Sequence, residues 1–151
     1  MSPMKWFLCF LLALTFSCAD MEPSSVDISI KRIGVDFEIL VSNNSGEMIT
    51  FSDHLFGGLR DPQFIIEVRD SAGMSVELCG SIDMLPTPKI IELPTGSSTK
   101  LPFYMSFVVS SYCLKIGEHY EFRIGFASKN GETDYSKWTP FSAVFDGYTK
   151  D

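Results

Sequence analysis

Strict alternation of apolar and polar residues is the feature that most constrains how this chain can fold. The clearest run covers residues 120–126, where every second side chain is large and apolar: Tyr120, Phe122, Ile124 and Phe126. Residues 26–31, 36–41 and 74–78 repeat this period of two. Because neighbouring side chains of a β-strand point to opposite faces, the pattern predicts strands with one buried face. After residue 20, no segment shows a convincing apolar stripe at helical spacing.

Turn-forming residues separate these strands. Residues 70–73 and the pair Asn130-Gly131 favour hairpin turns, because Asp, Asn and Gly accept the backbone angles that such turns require. Residues 42–46 have the same composition and predict a further hairpin, in which residues 48–51 form the returning strand.

The succession of short strands predicts the fold class. Residues 100–109 read as one more extended apolar strand. Many short strands with turns between them predict an all-β fold, an immunoglobulin-like antiparallel β-sandwich of about seven to nine strands. A chain of 151 residues has room for one such domain, which we assign to residues 20–151.

Residues 1–19 have the order of a secretory signal peptide. Lys5 supplies a positive charge, residues 6–16 are an uninterrupted apolar run, and the small residues Ser17 and Ala19 follow. At about 1.5 Å per residue, the run covers about half of a hydrocarbon core, so a permanent membrane span is the weaker interpretation. The protein is therefore expected to be exported.

Two routes of processing stay open for this peptide. Ser17 and Ala19 fit the small-x-small pattern of ordinary signal peptidase, whereas residues 14–18 resemble a bacterial lipobox, in which Cys18 becomes lipidated. The first route predicts a periplasmic protein and the second a membrane-anchored lipoprotein. On either route, the membrane is contacted only through an N-terminal lipid, if at all.

Cysteine count supports export. Cys9 leaves with the signal peptide and Cys18 is lipidated or removed, so the pair Cys79 and Cys113 remains in the domain. An even remainder in an oxidising compartment predicts one disulfide, and two separate buried thiols are the alternative.

A short motif precedes the strongest alternating strand. Leu114-x-x-Gly117-x-x-Tyr120 resembles the tyrosine corner of Greek-key sandwiches, in which the phenol reaches back to a backbone group upstream. A plain core tyrosine is the alternative.

The order of features from residue 26 to residue 126 resembles a known family of modules. It is similar to the free-standing immunoglobulin-like modules of bacterial lipoproteins and to those that precede deuterolysin-type metalloproteases. The resemblance rests on turn chemistry and on these pieces: Asn43-Asn44-Ser45, Ile49-Thr50-Phe51, residues 64–73, Leu93-Pro94-Thr95-Gly96 and the Leu114 to Tyr120 motif. Such modules are noncatalytic, so the resemblance implies a sandwich and no particular ligand.

Catalytic and cofactor motifs are missing from the sequence. The two histidines, His54 and His119, are far apart and have no His-Glu-x-x-His frame, so no metal site is expected. Neither a Gly-x-Ser-x-Gly elbow nor a phosphate-binding Gly-x-x-x-x-Gly-Lys loop occurs. We therefore expect a noncatalytic protein without a cofactor.

Two segments are candidates for recognition. The first is the irregular stretch 52–61, which combines charge, a histidine and apolar residues in Asp53, His54, Leu55, Phe56 and Arg60. Its alternative role is to close one end of the sandwich. The second lies beside the predicted disulfide and is rich in aromatic residues, with Tyr104, Phe107 and Tyr112 as the binding candidates. Core packing is its alternative role.

Charge narrows the class of partner. The chain has 12 Lys and Arg against 19 Asp and Glu, a formal net charge of −7. This leaves no excess of cations to neutralise phosphates, so nucleic-acid binding is not expected, and a basic protein is favoured. The sequence thus predicts an inhibitor or immunity-type protein that neutralises a secreted toxin or peptidase. The alternative is an accessory envelope module that binds carbohydrate or peptidoglycan through Tyr135 and Trp138.

Overall fold

A computed structural model of the chain describes residues 25–53, 63–79, 87–129 and 131–144. The predicted signal peptide 1–19, with Cys18, lies outside these residues. In the described part, ten strands and one helix follow in chain order: β1 (Val26–Ile33), β2 (Asp36–Asn43), β3 (Ile49–Ser52), β4 (Phe64–Asp70), β5 (Ser75–Val76), β6 (Ile90–Leu93), β7 (Ser98–Phe103), α1 (Met105–Ser111), β8 (His119–Ala127), β9 (Thr133–Tyr135) and β10 (Thr139–Ser142). The predicted all-β sandwich is confirmed.

Three antiparallel sheets make up the described fold. One has the strand order β1-β2-β7, a second has the order β10-β8-β4-β5 with β9 also paired to β8, and β3 pairs with β6. Gly125 and Phe126 pair with β4 on one side and with β9 on the other, so β9 and β10 lie along the same edge of β8. They are two pieces of one interrupted strand. Counted as one, they reduce the ten described strands to nine, within the seven to nine expected.

Phenylalanine rings join the sheets across the core. Phe37 of β2 and Phe103 of β7 pack on Phe122 of β8, with ring centroids 5.0 and 5.1 Å away. Phe51 of β3 packs edge-on against Phe64 of β4 at 5.3 Å. The inward-facing residues of β8 are buried, as their alternation predicts.

Two predicted hairpins are confirmed. Residues 70–73 join β4 to β5, with Gly73 at φ +80° and the Asp70 carboxylate accepting hydrogen bonds from the N–H groups of Ala72 and Met74. The second hairpin joins β8 to β9, where Gly131 has φ +87°. Its returning strand begins at Thr133.

The predicted strand over residues 100–109 is wrong in its second half. β7 ends at Phe103, and residues 105–111 form α1. Met105, Val108 and Val109 are buried, which is one helical face at spacings of three and four residues. Two turns are too short for this stripe to stand out from an extended apolar run in the sequence.

The predicted hairpin at residues 42–46 is also wrong, because the chain changes sheet there. β2 pairs with β1 and β7, whereas β3 pairs with β6. The buried amide of Asn43 stabilises the crossing: its Nδ2 donates to the carbonyl oxygens of Glu47 and Leu93, and its Oδ1 accepts from the N–H of Ser45. These bonds hold the chain against the end of β6 instead of folding it back on β2.

Tyr120 forms the upstream contact that its motif predicts. The phenol is buried, and its oxygen accepts a hydrogen bond of 3.2 Å from the backbone N–H of Lys115. It donates in turn to Oε2 of Glu118. The ring thereby fixes the connection that leads from α1 into β8.

Candidate binding surfaces

An exposed apolar surface lies at the turn between β1 and β2. Ile33, Val35 and Tyr104 expose 50%, 41% and 59% of their surface. Tyr104 and Ile33 line a groove of about 310 Å³, together with the exposed Pro102. We call these four residues the Tyr104 surface. Large apolar side chains exposed side by side are typical of protein interaction sites.

The backbone under Tyr104 is held from two sides. Asp36, the first residue of β2, accepts a hydrogen bond of 2.9 Å on Oδ1 from the N–H of Met105. Phe103 pairs with Phe37 in the sheet and is buried. Tyr104 thus stands between an anchored strand end and an anchored helix start, so its exposed ring is presented from a fixed position.

The other two predicted aromatics are less accessible. Phe107 is half-buried on α1, and its N–H donates to the carbonyl oxygen of Tyr104. Tyr112 is buried, and its hydroxyl donates a hydrogen bond of 2.6 Å to the carbonyl oxygen of Ile66. Burial and, to a smaller extent, the negative charge of Glu67 together raise the pKa of Tyr112 to about 12. The structure therefore gives Tyr112 a structural role beneath the surface.

The predicted disulfide is present beside α1. Cys79 and Cys113 are bonded, and their Cα atoms are 5.9 Å apart. The N–H of Cys79 also donates to the carbonyl oxygen of Ser111 at 3.0 Å. The segment after β5 is thus tied to the end of the helix, and both cysteines are exposed to solvent.

Only one of the five candidates in the stretch 52–61 belongs to the described residues. Asp53 donates its N–H to the carbonyl oxygen of Lys89 and accepts the N–H of Lys89 on Oδ1 at 2.8 Å. This two-way contact extends the pairing of β3 with β6. His54, Leu55, Phe56 and Arg60 lie outside the described residues.

A second surface covers the outer face of the five-stranded sheet. Two ion pairs cross from β4 to β8: Arg69 with Glu121 at 2.5 Å, and Arg123 with Glu67 at 2.6 Å. The register places these partners directly opposite each other. All four side chains are about one-third exposed. Opposite charges in such cross-strand positions stabilise a sheet modestly.

Two aromatic rings pack on these arginines. The guanidinium carbon of Arg123 is 4.0 Å from the ring centroid of Tyr135 and 4.7 Å from that of Trp138, and the guanidinium carbon of Arg69 is 4.1 Å from the Trp138 centroid. The Tyr135 hydroxyl donates to Oε1 of Glu67 at 2.9 Å. Burial and this contact raise the pKa of Tyr135. We call the arginines, their two glutamates and the two rings the arginine–aromatic face.

Gly125 makes room for this arrangement. A Cβ atom at position 125 would lie 2.6 Å from Cε1 of Tyr135 and 2.8 Å from Cγ2 of Thr133. The Tyr135 ring therefore lies directly over the backbone of β8. The sequence indicated Tyr135 and Trp138 singly, but the partners of these rings depend on strand register, which alternation alone does not fix.

Further features of the described residues concern catalysis, metal binding and membrane spanning. His119 and Ser142 face each other across β8 and β10, with Nδ1 2.9 Å from Oγ, and cross-strand geometry accounts for the contact. In the same part of the chain, no group of three His, Cys, Asp or Glu side chains is placed to hold a metal, and no helix has the length and apolar character to cross a membrane. Neither a known protein-family model nor a curated protein matches this chain.

Proposed function

We propose that this chain is an exported, noncatalytic protein-binding module of the inhibitor or immunity type, and that it binds a secreted toxin or peptidase through the Tyr104 surface. The observation that supports this proposal is the 59% exposure of Tyr104 on a backbone held by Asp36 and by Phe103. An aromatic side chain presented in this way loses little backbone entropy on binding, and tyrosine is among the residues that most often dominate interface energetics.

Charge supports a basic partner. The formal net charge of −7 gives the protein a field that attracts cationic proteins and speeds their encounter at low salt. The apolar Tyr104 surface then supplies the contact that persists after encounter. The expected complex therefore forms faster at low ionic strength, whereas its lifetime depends mainly on the apolar contact.

The second candidate function is carbohydrate or peptidoglycan binding through the arginine–aromatic face. Tyr135 is 39% exposed, and it lies among charged side chains that can hydrogen-bond to sugar hydroxyls. Against this function, the rings of Tyr135 and Trp138 are already packed on guanidinium groups. A sugar would have to bind without displacing these contacts.

A paired binding experiment separates the two functions. The intact protein is used to capture partners from an envelope extract, and a stoichiometric basic protein is then purified and titrated calorimetrically. Tyr104→Ala is expected to weaken its binding at least about tenfold. Ile90→Ala, which truncates another apolar side chain that is 65% exposed, is the matched control and is expected to change little.

Retention on a polysaccharide matrix tests the alternative. If retention is lost in Trp138→Ala while Tyr104→Ala behaves like the unmodified chain in both assays, the protein-binding proposal is wrong and the carbohydrate function replaces it.

A further inference from the structure

Strand β1 is an edge strand in the described fold. It pairs with β2 on one side. On its other side no described strand forms a ladder, but β9 lies beside its start, where the N–H of Val26 donates to Oδ2 of Asp134 at 3.0 Å. Asn43 is the β2 residue directly opposite Val26. Its backbone N–H donates to the carbonyl oxygen of Ser97, and its carbonyl oxygen accepts from the N–H of Gly96, so both groups point away from β1. Its partner Val26 is therefore in a position where β1 and β2 do not exchange hydrogen bonds.

The alternation of antiparallel pairing extends this assignment along β1. Every second residue repeats the geometry of Val26, so Ile28 and Ile30 direct their N–H and C=O groups away from β2. A groove of about 360 Å³ lies beside these two residues, between β1 and residues 135–139. Beyond Val26, whose N–H is bound by Asp134, the N–H and C=O groups of Ile28 and Ile30 face this groove, and residues 135–139 form its far wall.

Two residues of opposite charge lie at equal distances on either side of Ser29 in β1. Asp27, Ser29 and Lys31 are exposed on the outer face, with the negative residue two positions before Ser29 and the positive residue two positions after it. An antiparallel copy of the same strand, centred on Ser29, would place opposite charges in direct cross-strand positions twice. The strand is thus complementary to itself in charge as well as in backbone geometry.

We propose that this edge pairs with the same edge of a second copy of the chain, antiparallel and centred on Ser29. In this register, Asp27 lies opposite the partner's Lys31, and Ile28 lies opposite the partner's Ile30. Ser29 lies opposite the partner's Ser29. The two three-stranded sheets become one six-stranded sheet, and the hydrogen-bonding groups of Ile28 and Ile30 gain partners. Because two short strands bury little area, the dimer is weak and dependent on concentration.

A charge-exchange experiment tests the register. The full chain is examined by sedimentation velocity at concentrations up to about 1 mM, where weak dimers become visible. Asp27→Lys and Lys31→Asp each place like charges opposite each other twice, and each alone is expected to raise the dissociation constant about tenfold. An equimolar mixture of the two variants restores both attractions, so heterodimers are expected to form about as tightly as the unmodified dimer.

A cysteine placed at the symmetry axis gives an independent test. Directly opposite residues in a position without hydrogen bonds have Cα atoms about 4.5 Å apart, within the range that a disulfide spans. In a chain whose Cys9 and Cys18 are replaced by alanine, Ser29→Cys is expected to cross-link into dimers under mild oxidation. Ser98→Cys, exposed on the outer face of β7 in the same sheet, is the matched control.

Three results would each overturn the proposal. The unmodified chain could remain monomeric up to about 1 mM, the mixture of charge variants could associate no better than either alone, or Ser29→Cys could cross-link no more than Ser98→Cys. Thermal unfolding of every variant shows that these readouts come from folded protein.

Discussion

The hydroxyl of Tyr112 donates a hydrogen bond of 2.6 Å to the carbonyl oxygen of Ile66, and this contact joins the end of α1 to the edge of β4. β5 pairs with β4 only at Val68 and Arg69, so the carbonyl of Ile66 lies beyond the reach of that strand. The Tyr112 hydroxyl thus supplies the hydrogen bond that a neighbouring strand would otherwise donate to this carbonyl. It thereby covers the edge of β4 at the level of Ile66.

We expect Tyr112→Phe to lower the free energy of unfolding by about 1 to 2 kcal/mol, because the carbonyl of Ile66 loses its partner. The pKa of Tyr112 is about 12 in the folded protein against an ordinary 10.0, so the folded state holds this proton more tightly. The contribution of this raised pKa to the free energy of unfolding is fully present below pH 10 and is lost as the pH rises towards 12. Urea unfolding across this range should show the decline, and Tyr112→Phe should reduce it. The exposed Tyr104→Phe serves as control.

Gly125→Ala is expected to destabilise the protein by about 1 to 3 kcal/mol, because the new methyl group must displace the Tyr135 ring. Gly46→Ala is the matched control, since nothing lies within 4 Å of its Cβ position and its φ is not in the left-handed region. In a Tyr135→Ala background, Gly125→Ala should cost clearly less. Equal costs in both backgrounds would show that the ring is not what fills the space over Gly125.

Arg123→Ala should lower the free energy of unfolding by about 1 to 2 kcal/mol, because Arg123 contacts two rings and the carboxylate of Glu67. Arg123→Lys keeps the charge but loses the planar stacking, so it should recover only part of this loss. Urea unfolding at low and high salt separates the two contributions. The part that salt abolishes belongs to the ion pair.

Cys113 has φ +48°, and it follows α1 at the position where glycine usually ends a helix. The N–H of Leu114 donates to the carbonyl oxygen of Val109, and the N–H of Cys113 donates to that of Ser110, as in a Schellman motif. With Cys79 changed to alanine, we expect Cys113→Gly to be more stable than Cys113→Ala by about 1 kcal/mol. The reverse order in thermal unfolding would contradict this assignment.

Reduction of the exposed disulfide is a separate test. The bond spans a sequence separation of 34 residues, so its loss is expected to cost about 3 to 4 kcal/mol through the entropy of the unfolded chain. Because both cysteines are exposed, a mild reductant should act on the folded protein without denaturant. The fall in melting temperature on reduction should match that of Cys79→Ala.

Asn43→Ala is expected to cost about 2 to 4 kcal/mol, since it removes the donors that bind the part-buried carbonyl oxygen of Glu47 and the buried carbonyl oxygen of Leu93. Asn44→Ala, at the exposed neighbouring position, should change the free energy of unfolding by less than about 0.5 kcal/mol. Similar melting temperatures for both variants would show that the Asn43 amide does not direct the chain between sheets.

Sequence periodicity was sufficient to predict the fold class, because each long strand has one buried face. Tyr120, Phe122, Ile124 and Phe126 alternate in the sequence and are buried together. One of the two errors, the hairpin predicted at residues 42–46, arises where the contacts of one residue accompany a change of sheet. Residues 42–46 resemble any other turn, and only the position of Leu93 in space makes Asn43 a crossing point.

The candidate surfaces were harder to predict for a related reason. Tyr104, Phe107 and Tyr112 are aromatic residues of the same apolar segment and look alike in the sequence. Their exposure depends on where β7 ends and α1 begins. The arginine–aromatic face depends on the register of β4 against β8 and on the absence of a side chain at Gly125. The alternation of residues within one strand predicts neither its register with the next strand nor the space above its backbone.

The direction of β1 has a consequence for how the domain is displayed. The chain enters at Val26, and the Tyr104 surface lies at the other end of this strand, beside Ile33. Eight residues at about 3.3 Å each place about 25 Å between these points. A group attached ahead of Ser25 would therefore join the domain at the end away from the Tyr104 surface.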